Sequence, residues 1–480
     1  MKPNRFAWFI FPIFCAIAPF ATDLAAQSVP SPQHQTLIAN LGLSQQDQHG
    51  DNQAVGNSSS GLTLEQLEQM ATAHNPTLAQ AQAGIHAAQG RVRQAGLWPN
   101  PTVGYTGSEI RGGSFGGGEQ GFFVQQQVLL GGKLRLSQNV FKQEQKQAEA
   151  EAEEQHLRVE NGVRIAFYQS LAAQQMVELR QKLNDLAKDA LQTTQQLFNV
   201  GQADQPDALQ AQVEADEAEL ALVSVQQEQQ RAWSVLAATV GQAQLPLSRL
   251  QGDLENSPAL DPQQTLETIL RDSPAVKIAQ LGVARAEAET ARARREPIPD
   301  LMLRTGYQQD RELLEPTGSN RVGGIGFAEA GINIPLFNRN QGNIAAARSD
   351  TARARQEVER VALVLRQQAA PLLQGYATSR AIADRYRTRT LPSAQKAYEL
   401  YLAKYHEGGA AYPQVLIAQR TFFRLQVAYV TSLENIWTNA SALQGLLLTD
   451  GLDQPSTPGT IDQPVREINM PVTETPGGRQ

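Results

Sequence analysis

The clearest pattern in the chain is a heptad repeat of apolar positions in its first half. These positions step alternately by four and three residues, at Ala172, Met176, Leu179, Leu183, Leu186, Ala190, Thr193 and Leu197. A period of 3.5 is typical of a coiled coil, whereas an ordinary amphipathic helix drifts toward 3.6. The pattern predicts one helix over about 133–199 with a coiled-coil seam, a rod about 100 Å long.

Shorter segments alternate apolar and polar residues with a period of two, which predicts β-strands. They form two hairpins, each with a strand, a polar loop and a return strand: 102–106, 108–120 and 122–130, and then 301–307, 308–324 and 325–337. The strands are expected to have about nine to eleven residues, the length of a tilted membrane-spanning β-strand.

The hairpins belong to two copies of one unit. Pro76, Ala81, Gln82, Gly84, Pro99 and Pro101 recur as Pro274, Ala279, Gln280, Gly282, Pro297 and Pro299, each 198 positions later. Gly201, Pro206 and Gln212 recur 207 positions later as Gly408, Pro413 and Gln419, and Trp233 and Gly241 recur 204 positions later as Trp437 and Gly445. Such constant spacing indicates an internal duplication with small loop insertions.

Capping signals mark the helix ends in each copy. Thr63 and Gln66 have the spacing of a capping box at the start of a helix predicted over 62–97, which ends before Pro99. Gly201 occupies a helix C-cap position, where a left-handed backbone is needed. The helix over 62–97 and a returning helix over 207–241 have about half the length of the long rod, so we expect them to stack end to end beside it.

Prolines add two further expectations. Pro206 fits the first turn of the returning helix, where a missing N–H group is tolerated. Pro371 and Pro392 fall inside the long helix of the second copy, where each is expected to bend it locally.

Composition and end segments define the domain organisation. The copies are rich in Ala, Gln, Glu and Arg, which favours long helices. The net charge of −7 is mild and the basic residues are scattered, so the chain lacks a nucleic-acid-binding surface. The predicted segments are a signal peptide over 1–26, a disordered arm over 27–61, a first repeat over 62–241, a connector over 242–262, a second repeat over 263–448 and a disordered tail over 449–480.

The signal peptide rests on Lys2 and Arg5 followed by an apolar run over 6–20 that is too short to span a bilayer. Cys15 is the single cysteine and lies in this run, so the processed chain would have no disulfides and no thiolate ligands. The mature protein is expected to be exported.

Four strands of membrane-spanning length cannot close into a barrel. A sheet in lipid has no free edge, and the smallest workable barrels have about eight strands. The chain is therefore expected to pool its strands with identical partners, giving eight strands from two chains or twelve from three. The helices would then continue the barrel as a coaxial helical tube.

The duplicated order of helix, hairpin, long helix and return helix, with glycine-bearing tips at Val200-Gly201 and Gly408, resembles the TolC family of outer-membrane efflux ducts over 62–448. Two segments, 295–300 with Gly306-Tyr307 and 335–344, are similar to the outer-membrane component of cobalt-zinc-cadmium resistance pumps. The resemblance implies a homotrimer with a twelve-stranded barrel in outer-membrane lipid and a periplasmic α-barrel. It also implies two partners, a periplasmic membrane-fusion adaptor and a proton-driven inner-membrane exporter.

The resemblance also assigns roles to residues at the tips. It implies adaptor docking at Val200, Gly201, Gly408 and Gly409, although each glycine could equally serve as a helix C-cap. A gate latch is formed in the family by an aspartate and a tyrosine, which correspond here to Asp207 and Tyr405. The alternative for Asp207 is a favourable charge at a helix N-terminus.

Two places depart from the family pattern. Some members carry an acidic ring in the second return helix, whereas the matching residues here are Gln414 and Ile417, so selectivity by carboxylates at that level is doubtful. The histidines lack the spacing of metal ligands, namely His34, His49, His74, His86, His156 and His406. We therefore expect no resident metal and no cofactor.

An enzyme is disfavoured because the sequence has neither a nucleophile–base constellation nor a glycine-rich phosphate loop. The sequence thus predicts a passive exit duct of a tripartite efflux system, with heavy-metal cations as the expected cargo. The alternatives are a duct for drugs or other small molecules, a duct for type I protein secretion, and a soluble periplasmic coiled-coil adaptor.

Overall fold

The computed structural model describes residues 61–109, 118–313, 321–409 and 412–455. These residues lie in one structural unit, Ser58–Gln480. The predicted signal peptide, the predicted arm up to residue 60 and the predicted tail beyond residue 455 lie outside the described residues.

The first copy contains α1 (Leu64–His74), α2 (Pro76–Ala95), β1 (Thr102–Ser108), β2 (Glu119–Val128), α3 (Lys133–Asn199) and α4 (Gln205–Thr239). The second contains α5 (Pro262–Asp272), α6 (Pro274–Arg295), β3 (Leu301–Leu313), β4 (Arg321–Ile332), α7 (Gln341–Arg385), a π-helical turn (Tyr386–Thr390), α8 (Leu391–His406) and α9 (Tyr412–Gln444). In the part of the chain that is described, no helix combines the length and apolar character needed to cross a bilayer.

The helix predicted over 62–97 is two helices, and the prediction of one continuous helix was wrong. The capping box at its start is present, since the Gln66 amide donates to Thr63 Oγ1 over 3.4 Å and the Thr63 amide donates to Gln66 Oε1 over 3.0 Å. The break falls at Asn75-Pro76 because Pro76 has no N–H and its ring opposes a continued helix. Asn75 caps α2 by accepting from the Thr77 amide over 3.0 Å.

The long helix α3 extends from Lys133 to Asn199 and has neighbours along its whole length. It packs against α2 in its first half and α4 in its second. Ion pairs mark the two contacts: Arg91 of α2 lies 2.7 Å from Glu144, and Glu219 of α4 lies 3.7 Å from Lys188. The heptad side chains are buried or half-buried, so the predicted seam faces these neighbours.

The second long rod is interrupted where the first is continuous. Pro371 lies within α7, and the helix continues through it. Pro392 lies in the first turn of α8, directly after the π-helical turn, where the Leu391 amide donates to Tyr386 O five residues back. A π turn widens the helix locally, and it accommodates the backbone carbonyl to which a proline, lacking an N–H group, cannot donate.

The four strands form one antiparallel sheet in the order β1-β2-β3-β4. The second hairpin differs from its prediction, because β3 continues to Leu313 and β4 begins at Arg321, so the predicted loop over 308–324 is largely strand. The strand pairing continues through residues such as Gln308, which pairs with Ile325, because backbone hydrogen bonds hold the strands together and a polar side chain does not interrupt them. The return strand ends at Ile332, not at residue 337.

The core lies where the two copies meet, and the connector is part of it. Leu254 is fully buried and Leu250 nearly so, and Leu250 forms a parallel β-bridge with Leu62. The indole N–H of Trp233 donates to Leu245 O and that of Trp437 donates to Leu254 O, each over 2.9 Å. The duplicated tryptophans therefore anchor the connector instead of merely flanking it.

Candidate functional site: helical tips and sheet faces

Each copy has a helical hairpin, formed by α3 and α4 in the first copy and by α8 and α9 in the second. The first helix of each helical hairpin ends at the tip with the same backbone motif. Gly201 and Gly408 have φ values of 74° and 75°, the left-handed region that glycine adopts without strain. The Gly201 amide donates to Phe198 O over 3.0 Å and the Gln202 amide to Leu197 O over 2.8 Å. This pair of bonds is a Schellman motif, and it satisfies carbonyls that the helix end would leave free.

The second tip repeats these bonds. The Gly408 amide donates to Tyr405 O over 3.0 Å, and the Gly409 amide donates to Lys404 O over 2.8 Å. A Cβ atom built on Gly201 or Gly408 would meet no atom within 4 Å, and Val200 is 68% exposed. The conserved element of the two copies at this end is thus an exposed, sharply turned backbone. Residues 410–411 lie outside the described part.

The residues of the predicted gate latch lie at these tips. Asp207 is in the first turn of α4 and completes a capping box, in which the Asp204 amide donates to Asp207 Oδ2 over 3.5 Å. This is the helix N-terminal role considered for Asp207 from the sequence. Tyr405 is half-buried in the last turn of α8. A latch between the two residues stays a prediction.

The two residues that match the acidic ring of some family members are not acidic, and both are exposed in the first turns of α9. Gln414 is exposed, and Ile417 is 63% exposed. The described part of α9 therefore presents an amide and an aliphatic side chain where some family members carry acids.

The register of the sheet gives it one apolar and one polar face. Large apolar side chains share the first face and are exposed: Val103, Tyr105, Phe122, Val124, Leu303 and Tyr307. The rings of Phe122 and Tyr307 lie 6.3 Å apart across β2 and β3. Polar and charged residues prevail on the second face: Thr106, Ser108, Glu119, Gln125, Arg304 and Glu329. Such alternation is typical of a barrel with lipid outside and water inside.

An arginine between two aromatic rings lies on the polar face, and sequence reasoning missed it. The Arg304 guanidinium is 4.2 Å from the Phe123 ring centroid and 5.6 Å from that of Phe327, and it lies 3.7 Å from the Glu329 carboxylate. The rings lie flat because glycines sit beneath them. A Cβ on Gly104 would come within 2.5 Å of Phe123, and one on Gly306 within 2.5 Å of Phe327.

A buried carboxyl group on α3 was also missed. Glu151 is 4% exposed, and its Oε1 has no hydrogen-bond partner. Burial, with smaller contributions from Glu154 and Glu144, raises the pKa of Glu151 from 4.5 to about 8, while Arg285 opposes the rise. The group is therefore mostly protonated at neutral pH. The run of polar positions at 144, 147, 151, 154 and 155 is a weak signal for this face in the sequence.

Three of the described histidines have partners on their own helices. His74 Nδ1 lies 2.9 Å from Met70 O, His86 lies between Gln82 and Gln89, and His156 Nδ1 is 3.6 Å from Glu160. Among the described residues, no group of three or more His, Cys, Asp or Glu side chains is arranged to hold a metal ion. His34 and His49 lie outside the described residues.

The fold and the duplicated hairpins define a class of protein. The model of the outer membrane efflux protein family matches residues 67–242 and 265–447, which are most of the two copies. The chain therefore belongs to the outer membrane efflux protein family. The resemblance to TolC-type ducts is confirmed.

Individual relatives and solved structures are similar to this chain over most of its length. The chain is 26% identical over 386 residues to the cobalt-zinc-cadmium resistance protein CzcC of Cupriavidus metallidurans, covering 80% of this chain and 90% of that protein. It superposes on the outer membrane protein VceC of Vibrio cholerae with a TM-score of 0.64 at 20% identity, covering 81% and 97% of the two chains. The open state of the Neisseria gonorrhoeae outer membrane channel MtrE gives a TM-score of 0.65 at 19% identity, covering 82% and 90%.

Family membership confirms the main predictions of fold and function. The protein is an outer-membrane exit channel of an efflux pump, mainly helical with four β-strands among its described residues, and its helices extend into the periplasm. It works with an adaptor and an inner-membrane pump in a tripartite system. It is a transport duct and not an enzyme.

Proposed function

We propose that three copies of this chain form a duct that carries heavy-metal cations out of the cell. The observation that carries the proposal is the identity to the cobalt-zinc-cadmium resistance protein CzcC, which covers 90% of that relative and so includes both copies of the repeat. A duct serves the pump that recruits it, so the cargo follows from the partners. These are a periplasmic membrane-fusion adaptor and, we infer, a proton-driven exporter.

The sheet supports the proposed trimer. Its outer strands β1 and β4 each pair on one side only within the chain, and one face is apolar and exposed. Unpaired strand edges in lipid cost several kcal/mol per polar group, so the edges need partners from sister chains. Three chains supply twelve strands, and the apolar face would contact outer-membrane lipid while the face with Arg304 lines the lumen.

The tips are the proposed contact with the adaptor. Val200, Gly201, Gly408 and Gly409 present an exposed backbone that a partner helix can approach closely. We propose Asp207 and Tyr405 as the latch that closes this end. Replacing Gly201 or Gly408 with tryptophan is expected to abolish export and to leave the trimer intact. Normal export by both variants would argue against docking there.

Metal cations would cross without a resident site, and Gln414 and Ile417 supply no carboxylate ring at the tip. Deleting the gene is expected to lower tolerance to zinc, cobalt, cadmium or copper, and the intact gene is expected to restore it. Unchanged metal tolerance with lost drug tolerance would assign the duct to small-molecule efflux, and lost protein secretion would assign it to type I export.

Assembly is tested separately. The mature protein is expected to stay in the outer membrane after carbonate washing and to migrate as a heat-modifiable trimer. Release by carbonate as a monomer would contradict the duct and favour a soluble adaptor.

A further inference from the structure

The second half of α3, with α4 and α9, encloses a cavity of approximately 330 Å³. The volume falls within the range of small-molecule sites, about 300–1,000 Å³. Five alanines of α3 and α4 line the cavity with small side chains, which leaves room for an occupant. Leu183, Leu416 and Phe423 form the apolar part of the wall. The helix α3 packs along both α4 and α9, and residues of all three helices line the cavity.

The charges on the wall are unequal. Three guanidinium groups line the cavity, from Arg180, Arg420 and Arg424, against two carboxylates, from Glu214 and Glu217. One pair is made across the cavity, since Arg420 lies 3.4 Å from the Glu214 carboxylate, whose side chain is only 15% exposed. The charged groups that line the cavity therefore sum to a formal charge of +1.

Arg180 lines the cavity and has one buried donor atom without a partner. Its Nε is buried and has no hydrogen-bond partner. The Arg180 guanidinium is half-buried on the cavity wall, so an anion in the cavity would form a charge-assisted contact with it. Arg420 and Arg424 line the cavity and are exposed to solvent, so they would attract an anion from solution.

We propose that this cavity binds a small organic monoanion with an apolar body, such as an aryl carboxylate or aryl sulfonate. The acid group lies at Arg180, and the aromatic body lies against Leu183, Leu416 and Phe423. The occupant touches α4 of the first hairpin and α9 of the second, so it ties the two hairpins together near their tips. Binding itself does not depend on the proposed function; only its effect on conduction does.

The test uses the full-length mature protein in a non-ionic detergent and 1-naphthalenesulfonate as the probe, by isothermal titration calorimetry against a detergent blank. We expect one site per chain and a melting temperature that rises with probe concentration. The neutral analogue 1-naphthalenemethanol is expected to bind at least tenfold more weakly, since it cannot pair with a guanidinium. Equal binding of the two analogues would overturn the assignment of an anion site.

Variants locate the site. Ala218→Trp fills the cavity and is expected to abolish binding. Arg180→Gln is expected to weaken it at least tenfold, and Arg180→Lys is expected to recover part of that loss because the charge is kept. The matched control is Arg231→Gln, since Arg231 is exposed on α4 and pairs with Glu228 outside the cavity. Wild-type affinity in both Arg180→Gln and Ala218→Trp would overturn the proposal, whatever the outcome of export assays.

Discussion

The two long rods arise from the same repeat and reach the same length by different backbones. In the first copy α3 has 67 residues and is unbroken, whereas in the second α7, the π-helical turn and α8 together cover 45, 5 and 16 residues. The insertions and the proline that separate the copies thus leave the rod length almost unchanged. Length is what the architecture preserves, because each rod runs beside shorter helices and reaches a tip.

The rods differ more in their surroundings than in their length. Buried polar residues occur along α3, including Gln147, Glu151 and Asn161, because this helix has neighbours on several sides. The buried residues of α7 are few and are mostly alanine, and Leu363 is 66% exposed. The long helix of the first copy therefore lies among other helices of the chain, whereas the equivalent helix of the second copy lies at the edge of the packed helices. The edge is available for a sister subunit in the proposed trimer.

The largest stability effect is expected at the duplicated tryptophans, where the copies are most alike. Trp437→Ala is expected to destabilise the protein by about 3–5 kcal/mol, because it opens a cavity and frees the Leu254 carbonyl. Trp233→Ala is expected to cost less, because only Trp437 also stacks on Tyr168, with ring centroids 3.7 Å apart. Chemical denaturation followed by circular dichroism measures both.

The phenylalanine variants separate packing from hydrogen bonding at these positions. Each is expected to cost roughly 1–3 kcal/mol and less than its alanine variant, because an aromatic ring remains while the carbonyl loses its donor and the ring is smaller. An equal loss in Trp437→Ala and Trp233→Ala would show that the stacking on Tyr168 contributes nothing.

A proline exchange tests whether the π turn is the feature that allows the second rod to contain Pro392. Asp185 of α3 is the counterpart of Pro392, 207 positions earlier. Asp185→Pro is expected to cost about 3 kcal/mol, because α3 has no π turn to absorb the ring. Pro392→Ala is expected to change stability by less than about 1 kcal/mol, since the π turn already replaces the lost hydrogen bond. Thermal unfolding of the two variants gives the answer, and a similar loss in both would remove the distinction between the rods.

The sequence predicted regular elements well and long-range burial poorly. The heptad period and Gly201 located α3 and its end, because both signals are local. The break at Asn75-Pro76 was also present in the sequence, as an N-cap residue followed by proline, and it recurs at Ser273-Pro274. The connector could not be recognised as core, since Leu250 and Leu254 stand alone among polar residues and are buried only through contacts with distant helices.

The candidate site follows the same division. The turned backbone at Gly201 and Gly408 could be inferred from residue types, because a positive φ favours glycine. The clamp of Arg304 between Phe123 and Phe327 could not, since it depends on which strands pair and in what register. The same holds for Glu151, whose burial needs both α2 and α6 to be placed against α3.

Glu151 gives a pH test of the difference in burial between the rods. Its pKa in the folded protein, about 8, lies above the ordinary 4.5, so the folded state holds more protons than the unfolded state between these values. Stability is therefore expected to fall as pH rises from about 4.5 to 8 and to level off above. Glu151→Gln is expected to stabilise the protein at pH 9, where the buried carboxylate is charged, and to have little effect at pH 4.

Glu359 supplies the control for this pH test, because it is an exposed glutamate on α7. Glu359→Gln is expected to leave the pH profile of the melting temperature unchanged. Identical profiles for the wild type and Glu151→Gln would contradict the assignment of a buried, protonated group.

The smallest effect is expected at the tips, where the copies share one geometry. Gly201→Ala and Gly408→Ala are each expected to cost about 1 kcal/mol of local stability, the strain of a left-handed alanine, because an added Cβ meets no atom within 4 Å. Hydrogen exchange is expected to quicken at the Gln202 amide in one variant and the Gly409 amide in the other, while the melting temperature stays within about 2 °C. Gly241→Ala is the matched control, because its φ is also positive but the new Cβ would lie 2.6 Å from His74 O in the core. A melting temperature lowered as much by Gly201→Ala as by Gly241→Ala would show that the tip is packed against other groups and is not the open turn that adaptor docking requires.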